Sequence, residues 1–512
     1  MKWGFTFLSM ILLLNLQAQQ KPNNLKIHDG LVRELKPELM PFYHGVASGD
    51  PTETSVILWT KLTLERSWTK PVEVAYIVSL KSDCSAPVKE GTITAQAIND
   101  FTVKVDVQGL NPGTQYYYRF TFDGKNSPVG RTKTLPENGP IAIAFAACSN
   151  YEWGFFNNYR FIAEDPAIDL VVHLGDYIYE YAPGGYGDTM LGRKHLPAKE
   201  IITLDDYRTR FSQYRLDPDL MKVHQYKPFI TIWDDHESAN NAYIGGAQNH
   251  QAAEGDWYER KKAARKAYYE WMPVREPVYH ELYRSFRMGK LANLIMLDTR
   301  IAGRTAQVDS MTDPHFMDED RTIIGQQQFN WLSQQLSTDA KWNIIGNQVP
   351  FGPMYVDSSA TAKEAYMDGW DGYPVERKKV VDWLAQNNKG NTVWVTGDFH
   401  ASFAIENDLT GTGATNDNVS VEFVVTSITS ANNNEYEKNP NKLEAISRFY
   451  RDTNPHIKYL NQEDHGYLVL EISDNEILAK YYYAESIKTR TVGKDLEKTF
   501  VVKRGSKILT ER

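Results

Sequence analysis

Cysteine is almost missing from this chain: Cys84 and Cys148 are the only two in 512 residues. That excludes a small fold framed by disulfides. The two fall in stretches of different character, which weighs against a bond between them and leaves Cys148 open to other chemistry. Positive charge is also short, with 56 Lys and Arg against 65 Asp and Glu and a net charge of −9. Such a balance argues against a broad nucleic-acid or anionic-membrane surface. A small phosphate substrate stays open, because a local metal cluster reverses the field inside one cleft.

Long apolar runs are lacking except at the start, where residues 5–16 follow Lys2 and precede Leu16-Gln17-Ala18. The run is too short to span a bilayer and reads as a secretory signal peptide over 1–18. No twin arginine precedes it and no cysteine follows it, so neither a twin-arginine signal nor a lipoprotein anchor is indicated. No later segment reads as a transmembrane helix, and the expectation is an extracytoplasmic protein, periplasmic or secreted. Internal repeats, low-complexity tracts and a serine nucleophile elbow are likewise missing.

What is present changes character once along the chain. After a polar linker over 19–39, residues 40–137 read as an all-β sandwich of the immunoglobulin or fibronectin kind. Runs at 55–60, 72–78 and 102–107 mostly alternate apolar with polar residues between turn formers. The tyrosine-rich stretch after Leu110-Asn-Pro-Gly113 is placed to supply a tyrosine-corner hydrogen bond. From 138 to 512, continuous apolar runs at 141–147, 168–174, 229–233, 291–297, 342–346 and 392–396 alternate with helical patterns at 258–272, 327–336 and 376–386. Apolar runs between helices predict strands buried on both faces, hence an α/β core. Two loops rich in Gly, Asn and small polar residues, 183–197 and 239–256, are candidate walls of a site.

The chemistry gathers at the ends of the predicted strands, where α/β sheets line their ligand crevices. These ends read Cys148-Ser-Asn150, Gly175-Asp176-Tyr-Ile-Tyr179, Trp233-Asp-Asp235-His236-Glu237 followed by Asn240, Asp298-Thr-Arg300, Asn347-Gln348, and Gly397-Asp398-Phe-His400. One Asp after a strand is ordinarily a cap or turn residue; six such ends are less easily a coincidence. Asp176 has two oxygens able to bridge cations, and Tyr179 lies near enough in sequence to turn back to the same point. A phenolate from Tyr179 and a thiolate from Cys148 suit iron. The carboxylates and amides around Asp235 and Asn240 suit harder ions such as calcium or magnesium. Asp398 and His400, two residues apart, project to one side of an extended segment. Asn150 and Arg300 are candidates to bind phosphate oxygens, Arg300 being equally a candidate structural ion pair. His236 and His400 are candidates to protonate a leaving group.

His44-Gly-Val-Ala-Ser-Gly-Asp-Pro51, Gly175-Asp-Tyr-Ile-Tyr-Glu180, Trp233-Asp-Asp-His-Glu237 and Gly397-Asp-Phe-His400 together resemble the successive motifs of the alkaline phosphatase D family. The resemblance covers nearly all of the chain after the signal. It implies a calcineurin-like metallophosphatase fold, two sheets packed between helices, and a centre of one Fe3+ with Ca2+, other divalent ions remaining open. It places Cys148, Asp176 and Tyr179 on the iron motifs, Asp235 and Asn240 on the middle motif, and Asp398 and His400 on the last. The implied reaction is hydrolysis of small phosphate esters by an activated water. A preference for diesters is one alternative, and a calcium-stabilised extracellular binding protein without turnover is another. Family members often carry a twin-arginine signal, which this chain lacks.

Overall fold

The computed structural model describes residues 23–276, 281–356, 364–387, 390–410 and 417–512. The expected signal peptide lies outside them. No described helix is long and apolar enough to cross a membrane.

The apolar runs become strands of two sheets. The larger has ten strands, running from one edge as Thr510–Glu511, Lys494–Lys503, Glu476–Ala484, Gly466–Ile472, Ile141–Ala146, Leu170–His173, Pro228–Thr231, Val46–Gly49, Ser55–Lys61 and Thr102–Gln108. The smaller has seven, Arg284–Met288, Ala292–Met296, Trp342–Asn347, Thr392–Thr396, Asn418–Val424, Ser402–Asp408 and Ile457–Asn461. The centre of each is parallel, and Leu170–His173, Pro228–Thr231 and Trp342–Asn347 are buried along their whole length, as strands covered on both faces must be.

Alternation sorts the side chains between layers. In Ala292–Met296, Leu294 and Met296 join the main core with Phe145 and Val172, whereas Ile295 joins Leu332, Leu336, Val380 and Leu384 beneath helices Gly325–Leu336 and Pro374–Asn387. Helices Leu204–Arg215, Pro218–Tyr226 and Trp257–Trp271 supply Phe211, Leu220, Tyr268 and Trp271 to the core of the larger sheet. The architecture is thus the expected α/β sandwich of sheets flanked by helices, preceded by all-β structure. Glycine lets the sheets approach under the crevice: a Cβ on Gly397 would sit 2.9 Å from Ala147 Cβ, while one on Gly346 would crowd Met296 Sδ of its own sheet at 2.5 Å.

The all-β region holds a finding that the sequence pattern concealed. One of its layers is a five-stranded sheet, Pro87–Ala95, Val72–Ser79, Gln115–Phe122 and Lys125–Asn126, with Gly130–Lys133 also on Gln115–Phe122. The other layer is the end of the ten-stranded sheet itself, because Val46–Gly49 pairs in parallel with Pro228–Thr231. Val56, Leu58, Val74, Val105, Tyr118 and Phe120 fill the space between the layers. The tyrosine corner forms: the Tyr116 hydroxyl accepts from Asn111 N–H at 2.9 Å.

The motif from His44 to Pro51 is therefore a structural junction. Gly49 has no room for a side chain, since a Cβ would lie 2.3 Å from Pro273 O. Asp50 accepts from Arg284 Nη2 (2.7 Å), Arg284 Nε (3.1 Å) and the Arg275 backbone N–H (2.7 Å). His44 Nε2 lies 2.8 Å from Ser212 Oγ, and its ring meets Trp271 edge-on.

Candidate metal centre

The carboxyl ends of both parallel cores meet at one cleft of about 610 Å³. Asp176, Asp235, His236, Asn240, Asp398 and His400 line it, so residues from three strand ends converge as their positions implied. Cys148 and Tyr179 lie buried against Asp176. The turns that carry them are strained: Cys148, Asp176, Asp398 and His400 all have φ between 54° and 62°, a region costly for residues with a Cβ and concentrated at functional sites. Gly175, at φ 119°, passes so close to Asp234 that a Cβ would lie 2.4 Å from the Asp234 Cβ.

Asp176 is the hub. Its Oδ2 accepts from the Tyr179 hydroxyl at 3.1 Å and from Cys148 Sγ at 3.6 Å, while Oδ1 accepts from His236 N–H at 3.3 Å. Ser430 Oγ donates to the Tyr179 oxygen at 2.5 Å. His400 Nδ1 lies 3.0 Å from the Ala431 carbonyl, which only accepts, so Nδ1 carries the proton and Nε2 presents its lone pair beside Tyr179, 3.5 Å away. Burial pushes the His400 imidazole down to about 4 and keeps it neutral. Among the described residues, three groupings bring ligand atoms within 4.8 Å of one another: Cys148, Asp176 and His400; Asp176, Asp235 and His236; Asp234, Asp235 and Asp398. Asp176 belongs to two of them, and Asp235 links the second to the third.

The protein alone does not satisfy this charge. Burial, reinforced by Asp176, drives the Cys148 thiol far up, and burial does the same to Asp176 and Tyr179. Asp398 rises to about 7, from burial first and Asp368 second. Asp235 Oδ1 and Asp234 Oδ2 are buried without a hydrogen-bond partner. Orphaned acceptors beside a thiol, a phenol and an imidazole are what a cation would complete, so the donor set fits metal ions. Asn240 belongs to the same rim: its Nδ2 donates to Gln248 Oε1 (2.9 Å), which leaves the carbonyl end for a cation.

Arg300 is the structure's own counter-charge. Fully buried, it donates through Nε to Asp234 Oδ1, through Nη1 and Nη2 to both Asp368 oxygens (2.8 Å each), and through Nη2 to Asp398 Oδ1 (3.1 Å). Of its two readings, the ion pair is the one it makes here. Asn150 is not brought to the cleft as a phosphate donor. Its Nδ2 donates to Tyr186 O (3.0 Å) and its Oδ1 accepts from Glu152 N–H (2.9 Å), so the amide is spent on holding the adjoining loop.

His236 has a partner that sequence reading missed. Glu180 Oε2 lies 2.7 Å from His236 Nδ1, and Glu180 Oε1 accepts from Asn240 N–H and Asn249 Nδ2 at 2.8 Å each. Burial opposes the imidazolium, yet Asp235, Glu180 and Asp176 raise its pKa well above the ordinary value. Glu237, by contrast, accepts from the Asp176, Tyr177 and Asp234 N–H groups and knits two turns together. Asp368 and Tyr366 were also missed; the Tyr366 hydroxyl donates to Asp398 Oδ2 at 2.6 Å. No local pattern announces either residue, whereas Glu180 stands next to Tyr179 and was within reach. Both glycine-rich loops do reach the cleft, through Tyr186 and through Asn240 and Asn241. Asp298 and Gln348 instead cap and brace their own turns, as in Arg300 N–H to Asp298 Oδ1 and Thr299 N–H to Gln348 Oε1. Cys84 and Cys148 are both free and buried.

Known proteins resemble this chain in sequence and fold. Residues 143–481 match the family model described as PhoD-like phosphatase, and residues 31–136 match its N-terminal domain. Alkaline phosphatase D of Bacillus subtilis (strain 168) is 37% identical over 461 residues, covering 86% of this chain and 77% of that protein. A solved structure of PhoD superposes with a TM-score of 0.82 at 33% identity, covering 92% of each chain. The purple acid phosphatase PPD1 from yellow lupin (Lupinus luteus) seeds shares the fold at 11% identity, with a TM-score of 0.56 over 90% of this chain and 74% of its own. With both parts of the chain matched in order, it belongs to the PhoD-like phosphatase family and is a phosphoric ester hydrolase.

Proposed function

We propose that this enzyme is an exported, metal-dependent phosphoesterase holding Fe3+ beside Ca2+, or another divalent ion, in the cleft at Asp176. The observation that carries the reading is Asp176 itself, a carboxylate shared by two ligand groupings, one with a thiol and an imidazole and one with a second carboxylate. Cys148, Asp176, Tyr179 and His400 would hold the softer, ferric position, and Asp176, Asp235, Asn240 and Asp398 the harder one. Bound there, the ions supply Lewis acidity that neutralises phosphate oxygens and lowers the pKa of water. The protein's own residues do the rest. His236, kept protonated by Asp235 and Glu180, stands in the cleft as a proton donor for the leaving alcohol. Arg300 and Tyr366 fix the Asp398 carboxylate. The extracytoplasmic location rests on the run over residues 5–16.

Within this chemistry the cleft favours diesters. Among the described residues that line it there is no lysine or arginine to meet the second free charge of a monoester, while Tyr181, Tyr186, Tyr366 and Phe399 offer walls to a second organic arm. Turnover of a monoester and a diester is to be measured before and after metal removal, with iron and calcium restored separately. Full recovery is expected only with both ions, and diesters are expected to be the better substrates. Undiminished turnover after metal removal would reject the proposal.

A further inference from the structure

The ferric-side phenol is the inner end of a chain of aromatic rings that leads out of the cleft. Tyr179 and Tyr186 have ring centres 5.7 Å apart, Tyr186 and Trp153 5.8 Å, and Trp153 and Tyr436 6.4 Å. The last two contacts are edge-to-face, so the rings step outward rather than stack in a column. Tyr436 is 64% exposed although it lines the same cleft as Asp176 and His236.

These outer rings are fixed in place. Tyr436 ends the short helix Asn433–Tyr436, which begins in a capping box between Asn432 and Glu435. His465 Nε2 lies 3.1 Å from Glu435 Oε1 and tethers that helix. Lys488 Nζ lies over the Trp153 ring, 4.8 Å from its centre, and pairs with Asp188 (3.4 Å) and Glu435 (3.7 Å). A large aromatic held in the open by this scaffold has no role in the core, and Lys488, the cation over Trp153, is already paired with carboxylates.

We infer that Tyr436, braced by Trp153, forms a stacking subsite for an uncharged planar ring, such as a nucleobase or aryl group, on one arm of the phosphodiester. The inference rests on the hydrolase reading above. Stacking tolerates any flat ring and adds affinity without touching the reacting phosphorus, so it acts through KM.

The test compares two diesters, thymidine 5′-(4-nitrophenyl) phosphate and the diester of two glycerols, with the metal-loaded full-length enzyme. Tyr436→Ala is expected to lower kcat/KM for the ring-bearing ester about tenfold, mostly through KM, and to leave the glycerol diester within twofold. Tyr436→Phe restores the ring and is expected to restore the first value. Equal effects of Tyr436→Ala on both esters, or none on either, would overturn the subsite while leaving the hydrolase intact. Failure of the wild-type enzyme to turn over either ester would overturn the hydrolase reading and the subsite with it.

Discussion

Gly49-Asp50 and Gly175-Asp176 are nearly the same local object. Each follows a buried strand of the same sheet, each needs a glycine that admits no Cβ, and each aspartate has a positive φ, 40° and 56°. Their surroundings make them opposites. The Asp50 carboxylate is met by the Arg284 guanidinium and the Arg275 backbone N–H, which leaves a closed ion pair that joins two layers. Asp176 is met by a thiol, a phenol and other carboxylates, and its neighbour Asp234 keeps an oxygen without a partner. A strand-end Gly-Asp is thus a way of aiming a carboxylate, and the partner decides between a weld and a metal site.

The sharpest way to break this contrast is to exchange the consequences. Asp176→Ala is expected to lower kcat/KM about a thousandfold or more, several kcal/mol of lost transition-state stabilisation. Metal analysis should show the loss, with the sandwich still folded by circular dichroism. Asp50→Ala should do the reverse. It strips the partly buried Arg284 of its carboxylate, which should cost about 2–3 kcal/mol in denaturant unfolding, while the folded fraction keeps its metal and its kcat. Metal loss in the Asp50 variant would erase the distinction.

Two smaller changes sharpen each side. Glu180→Gln removes one of the carboxylates that hold His236 protonated. The imidazole pKa then falls, so the alkaline limb of the kcat profile should move to lower pH, with up to about a hundredfold loss above it. An unmoved limb excludes His236 as the donor. On the weld side, Tyr116→Phe removes only the corner hydrogen bond to Asn111 and should cost about 1 kcal/mol without altering turnover.

The contrast also explains what could be read in advance. The parallel strands were legible because burial on both faces demands apolar runs, and their ends stood out as polar residues against that background. Thr392–Thr396 has the bounds its sequence suggests. The three antiparallel strands from Gly466 to Lys503 were not singled out: Gly466–Ile472 pairs with Ile141–Ala146, more than three hundred residues away, and no local signal encodes such a partner. Among site residues, Cys148, Asp176, Tyr179 and Asp398 carried their chemistry in their own side chains. Arg300 and Asn150 did not, because a guanidinium or an amide reads alike whether it meets substrate or a carboxylate or carbonyl of its own chain. Tyr366 and Asp368 reach the cleft from a stretch with neither strand nor helix periodicity.

The strand pairing of Val46–Gly49 with Pro228–Thr231 has a consequence for anyone who would cut this protein. The sequence changes character near residue 137, yet the ten-stranded sheet runs straight across that point. A fragment starting at Pro140 would expose Pro228–Thr231 as a bare edge, with the N–H and C=O groups that had paired with Val46–Gly49 open to other chains. It should aggregate rather than fold, and the two regions should be inherited, expressed and exchanged only as one piece.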